Sequence, residues 1–135
     1  MDLLDFANEK RPPFTKLLGV VFTQVSEDRV EAEMFVREDL SNPHGICHGG
    51  ALMSFADTTG AIATVVNIPR DATTTTMESK TNFLRGGPTG ETLRAIATPV
   101  HKGRRTHVWR TEILSENDKL VAVVTQTQMV IASGE

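Results

Sequence analysis

A loop opening at Asn42, a possible backbone donor at the turn His48-Gly49-Gly50 and an acid, Asp57, fall within a span of sixteen residues. A loop rich in proline and glycine, Asn42-Pro43-His44-Gly45-Ile46-Cys47, ends at the glycine pair, and small and apolar residues suited to a helix follow. With no Cβ in the way, Gly49 and Gly50 let a ligand come close to the backbone. The first turn of the following helix has unpaired N–H groups and a partial positive charge. Such an end can hold an anion, or an oxygen that becomes one during a reaction. Asp57 is the only carboxylate between Asp39 and Asp71. A carboxylate there could act as general base on water or attack a carbonyl directly.

The spacing of donor and acid sets a condition. Gly49 and Asp57 are eight residues apart, which is about 12 Å along a helix axis. A reacting atom must lie within roughly 3 Å of both groups, so a site using both takes the donor from one chain and the acid from another. A two-fold dimer does this naturally and builds the site twice. Helical periodicity leaves room for a partner: Leu52, Phe55, Thr59, Ile62 and Val66 line one face. Asp57 lies nearly opposite them, beside Met53, Gly60, Ala61 and Thr64, where small residues would let another surface approach. The plain alternative is a solvated helix face with Asp57 as an ordinary exposed acid.

The spacing predicts the helix over 50–66, with Thr64-Val65-Val66 weakening its end and Pro69 preventing much continuation. Residues 1–11 read as a polar N-terminal arm or a loose helical turn. Phe14 to Leu18 suits a short helix ended by Gly19. Val20–Val25 and Val30–Val36 read as strands joined by a tight turn at Glu27-Asp28. Residues 73–84, 91–102, 104–114 and 119–132 are four more strand candidates, with Met77, Ser79, Thr81 and Phe83 expected on one face of the first. The short connections Lys102-Gly103 and Glu116-Asn117-Asp118 suit hairpins. One long helix among about six strands indicates an α+β domain over 1–135, an antiparallel sheet wrapped around a central helix.

A net charge of −3 argues against a dedicated nucleic-acid binder, which usually carries a basic excess. One cysteine rules out an intramolecular disulfide framework and suits a reducing compartment. The start lacks the basic flank and apolar run of a secretion signal. No apolar stretch approaches the ~20 residues that cross a bilayer. The expectation is a cytoplasmic protein with no membrane contact.

Asn42, His48, Gly49 and Asp57, at their spacing, resemble the motif of the hotdog-fold acyl-CoA thioesterases. The chain is most similar to the branch typified by the phenylacetate-pathway thioesterase and human thioesterase superfamily member 2. The resemblance runs from about residue 15 to the end, and His101-Lys102-Gly103-Arg104-Arg105-Thr106 looks like the family's basic turn between its fourth and fifth strands. It implies a hotdog fold, sites at a dimer interface, an acyl-CoA substrate and no separate cofactor. Tetramers are common in the family. It further implies that the Gly49 N–H polarises the thioester carbonyl and that Asp57 of the facing subunit is the base or nucleophile. Asn42 would hold the thioester or the water, His48 would brace the loop or the carbonyl region, and Thr75 or Thr76 would orient the water. Gly50, Met53, Ala56 and Phe83 would line the acyl pocket. Arg85, Lys102, Arg104 and Arg105, near strand ends, read either as solvated charges or as a rim that would hold the coenzyme A phosphates, with Arg85, Arg104 and Arg105 taken as the candidates.

Other signals have plain readings. His44, Cys47 and His48 supply no fourth ligand and match no zinc spacing well. Cys47 lacks an evident thiolate-stabilising cation other than a charged histidine and reads as a packed thiol. His107 and Trp109 read as core, and His101 as a turn residue. Two competing functions share the fold: a module that binds acyl-CoA without cleaving it, and a hydratase or dehydratase acting on enoyl or 3-hydroxyacyl thioesters.

Overall fold

The structure, a computed structural model, describes residues 1–134. Three helices, α1 (Leu3–Glu9), α2 (Pro13–Leu18) and α3 (Gly49–Val65), accompany six strands. The strands are β1 (Val21–Val25), β2 (Val30–Phe35), β3 (Thr73–Phe83), β4 (Thr92–Lys102), β5 (Thr106–Leu114) and β6 (Leu120–Ile131). They form one antiparallel sheet in the order β1-β2-β4-β5-β6-β3. Consecutive strands β4, β5 and β6 are hairpin neighbours, whereas α3 carries the chain from β2 to the far edge at β3. The sheet curls around α3, which packs on β2 through β6. Leu52, Phe55, Ala56, Ile62 and Ala63 of the helix meet Met34, Leu93, Trp109, Ile113 and Val124 of the sheet in one buried core.

Most expected elements are present within a residue or two, and four details differ. Of the two readings of residues 1–11, the helical one is present and is not loose: α1 has buried Ala7, and Asn8 exchanges hydrogen bonds with the backbone of Phe22 on β1. Met77 leaves the expected face of β3 because a bulge falls between Thr76 and Glu78. Thr74 and Thr76 therefore share the inward parity with Ser79 and Thr81, while Met77 is 61% exposed. The turn before β5 runs through Gly103, Arg104 and Arg105, and His101 belongs to β4, paired with Val108. Last, Gly60 and Thr64 do not form a face open to a partner: both are buried, and the Trp109 indole N–H donates to Thr64 Oγ1 at 2.8 Å.

Gly60 has a specific reason for being glycine. A Cβ there would overlap the side-chain amide of Gln126, which lies against the helix backbone. Helix propensity alone favours alanine by about 1 kcal/mol, but overpacking a buried site costs about 1–3 kcal/mol. Because a buried amide blocks the way, the steric cost wins. Gly60→Ala lowers the thermal midpoint by roughly 3–10 °C in calorimetry; a raised midpoint would show that Gln126 moves aside freely.

Candidate active site

Local geometry at the start of α3 follows from its residues. His48 is the N-cap, and its Nδ1 accepts the Gly50 N–H at 2.8 Å. The Gly50 donor is thereby used, while the Gly49 N–H has no protein acceptor among the described residues. Gly49 also lies close under Phe83: a Cβ at Gly49 would come within 3.2 Å of the ring edge. Upstream, the Asn42 side-chain oxygen accepts the His44 N–H at 2.8 Å and closes the loop on itself. Asn42, Gly49, Phe83 and Arg85 then line one cleft of about 370 Å³.

Asp57 sits two turns along the helix and half-buried. Its Oδ1 receives the Thr76 hydroxyl at 2.7 Å and, more loosely, the Gln126 amide at 3.4 Å. Both bonds end on the same oxygen, so Oδ2 has no protein donor among the described residues. The bulge after Thr76 makes this arrangement possible, since it sets Thr76 inward at the level of the carboxylate. Asp57, Met53, Ser54, Thr58 and Ser79 line a second cleft of about 410 Å³ that Phe14 flanks.

The two clefts have no lining residue in common. Within one chain the free donor and the acid therefore open into different spaces, as the length of helix between them requires. Each volume is near the lower end of the range for small-molecule sites. His48 and Gly50 line a third cleft with Phe14, Leu17 and Arg37. Ala56, expected on the acyl pocket, is fully buried in the core. Arg104 and Arg105 are exposed on the β4–β5 turn. The adjoining Lys102 reaches Asn67, just past the C-terminal end of α3, so these arginines are not brought to the Gly49 of their own chain. Lys102 itself is engaged by Asp28 at 2.6 Å.

The remaining candidates are tied up in the fold. Burial pushes the Cys47 thiol from 9.0 up to about 11, so it stays protonated and poorly nucleophilic near neutral pH. His107 is buried edge-on to Trp109. Burial lowers its pKa most, a hydrogen bond with the Gly103 backbone opposes this, and the positive charges of Lys102 and His101 lower it further. No helix among the described residues is long and apolar enough to cross a membrane. The sequence reading did not single out Gln126 and Gln128. Their signal was the alternation Ala122, Val124, Gln126, Gln128, which carries polar residues onto the buried parity of β6.

Residues 44–122 match the family model described as the Thioesterase superfamily. The acyl-coenzyme A thioesterase PaaI of Escherichia coli K12 is 36% identical over 109 residues, 80% of this chain and 75% of that relative. The 1,4-dihydroxy-2-naphthoyl-CoA hydrolase of the same organism is 30% identical over 103 residues, 76% of this chain and 75% of that relative. The crystal structure of a thioesterase from Haemophilus influenzae superposes with a TM-score of 0.92 at 30% identity, covering 100% of this chain and 94% of that one. The six-stranded antiparallel sheet of this chain, curled around one helix, is the hotdog fold, and the chain belongs to the thioesterase superfamily.

Proposed function

We propose that this chain hydrolyses acyl-CoA thioesters to a free acid and coenzyme A, at two sites shared between the subunits of a homodimer. One observation carries the reading: the unpaired Gly49 N–H and the clamped Asp57 open into separate clefts of one chain. Neither cleft holds both an oxyanion donor and an acid. Two-fold pairing with the helices antiparallel about Met53 sets the N-terminal half of each α3 beside that of the other, Gly49 opposite Asp57, and joins the clefts crosswise. Strand β3, eleven residues long and paired only on its β6 side, offers the edge for that pairing. An unpaired edge of this length is otherwise a liability for uncontrolled association.

In the joined site the thioester carbonyl accepts from Gly49 N–H, assisted by the positive end of α3. On the general-base route, Oδ2 of the facing Asp57 takes a proton from water as the water oxygen bonds to the carbonyl carbon. The C–S bond then breaks, and the proton goes to the departing thiolate. On the nucleophilic route, Oδ2 itself bonds to the carbon, the thiolate leaves, and water opens the resulting anhydride. Asn42, Phe83 and Arg85 flank the carbonyl side, and Met53 flanks the acid. The antiparallel helices also bring the partner's β4–β5 turn toward the Gly49 end, where Arg104 and Arg105 meet the coenzyme A phosphates. The names of the two Escherichia coli relatives, both of which describe action on CoA thioesters, support coenzyme A as carrier.

The direct test is a panel of aromatic, medium-chain and hydroxylated acyl-CoAs followed by free-thiol release. At least one substrate is expected to turn over at 1 s⁻¹ or faster, on the order of ordinary enzymes. Tight binding across the panel without thiol release would make the protein a binding module. Absorbance change at an enoyl group without thiol release would make it a hydratase.

A further inference from the structure

Behind Asp57 the sheet carries two glutamines with no exposed surface, Gln126 and Gln128. They stand on β6 at the parity that runs from Ala122 and Val124 into the core, where burying an amide is costly unless it is hydrogen-bonded. Both reach the carboxylate–hydroxyl pair. Gln126 Nε2 lies 3.3 Å from the Asp57 carbonyl oxygen and 3.4 Å from Oδ1. Gln128 Nε2 lies 2.6 Å from Thr76 Oγ1, and Gln128 Oε1 lies 2.9 Å from Thr74 Oγ1.

Donor and acceptor counting allows one direction for this chain of bonds. An ionised carboxylate only accepts, and a threonine hydroxyl has one proton and two lone pairs. At 2.7 Å from Asp57 Oδ1, Thr76 must give its proton there. Its contact with Gln128 must then be donated by the amide, which turns the amide oxygen toward the Thr74 hydroxyl. Thr76 is left with one lone pair, and Asp57 with Oδ2. Together they can receive both protons of one water molecule.

We propose that Gln128 is a positioning residue for hydrolysis. Its amide fixes the direction of the Thr76 hydroxyl, which ties back Asp57 Oδ1, leaves Oδ2 forward and presents a lone pair to the attacking water. The Thr74 hydroxyl, whose one proton is shared between Gln128 Oε1 and the Met129 carbonyl oxygen at 2.9 Å each, holds the amide in turn, and Gln126 braces the same carboxylate oxygen through the gap at Gly60. This rests on the reading of Asp57 as the acting acid.

The test compares Gln128→Met, which keeps the length and removes the donor, with the unaltered protein and in a Thr76→Val background. Gln128→Met is expected to lower kcat about tenfold, the usual worth of one hydrogen bond, with KM within about twofold. Added to Thr76→Val it lowers kcat no further, because the two act as one unit. Unchanged kcat in Gln128→Met, or the same tenfold loss on top of Thr76→Val, overturns the proposal. If Gln128→Met does not fold, Thr74→Val on the edge strand decides: about a threefold fall in kcat at constant KM supports it, and no fall overturns it. Should Asp57→Asn keep full turnover, the reading of the site fails. Should Asp57→Asn be inactive while Gln128→Met is normal, only the positioning role fails.

Discussion

Asp57→Asn lowers kcat on the best acyl-CoA by about 10²–10⁴, the range that removal of a positioned base produces. Asparagine has the same shape, and its Oδ1 can still accept from Thr76 and Gln126 where the carboxylate now does. What is lost is the basic Oδ2, replaced by an amide that donates. On either proposed route Asp57 acts at the reacting carbonyl or its water and not on the body of the substrate, so KM changes little. The fold should also survive, since the cleft around Met53, Ser54 and Ser79 stays filled to the same extent. A thermal midpoint within a few degrees of the original, alongside the loss of thiol release, separates chemistry from stability. Normal turnover by a folded Asp57→Asn protein would remove Asp57 from the mechanism.

The helix proposed to carry that chemistry was legible because its signals are local. A glycine pair after a proline-rich loop, an apolar stripe at helical spacing and a single carboxylate located the start of α3 within one residue, and with it the separation of Gly49 from Asp57. What escaped depends on partners distant in sequence. Nothing near Met77 announces that β3 shifts register against β6 there. Without that shift, Thr76 would not face the carboxylate. Gly60 read as a small residue for a neighbouring chain, because its obstacle, Gln126, lies 66 positions away in sequence and meets it only across the helix–sheet interface. The alternating Thr-Gln-Thr-Gln of 125–128 looks like the polar end of a strand. Their shared parity with Ala122 and Val124 is the one local sign that these glutamines point inward, and the curl of the sheet over α3 is what buries them. Arg104 and Arg105 were legible as a basic turn, but their distance from the chain's own Gly49 was not.

The proposed sharing of the site between chains has a consequence that no single-chain enzyme can imitate. Gly49→Val brings a branched side chain against Phe83, whose ring already stands 3.2 Å from where a Cβ would be, and fills the cleft proposed for the carbonyl. Phe83 is half-exposed, so the ring can yield at the surface and the fold is spared. A homodimer of this variant has two blocked clefts, and a homodimer of Asp57→Asn has two sites without the acid. When the two variants are co-expressed in equal amounts, about half of the dimers are mixed. Each mixed dimer has one site with an intact Gly49 from one chain and an intact Asp57 from the other, opposite one site damaged on both sides. Activity per chain should therefore return to about a quarter of the unaltered value, against a background of about a hundredth or less in either parent. Separately tagged chains, purified through both tags, should reach about a half. If Gly49 and Asp57 of the same chain served one substrate, every chain in the mixture would carry a lesion in its own site. The mixture would then be as inactive as its parents.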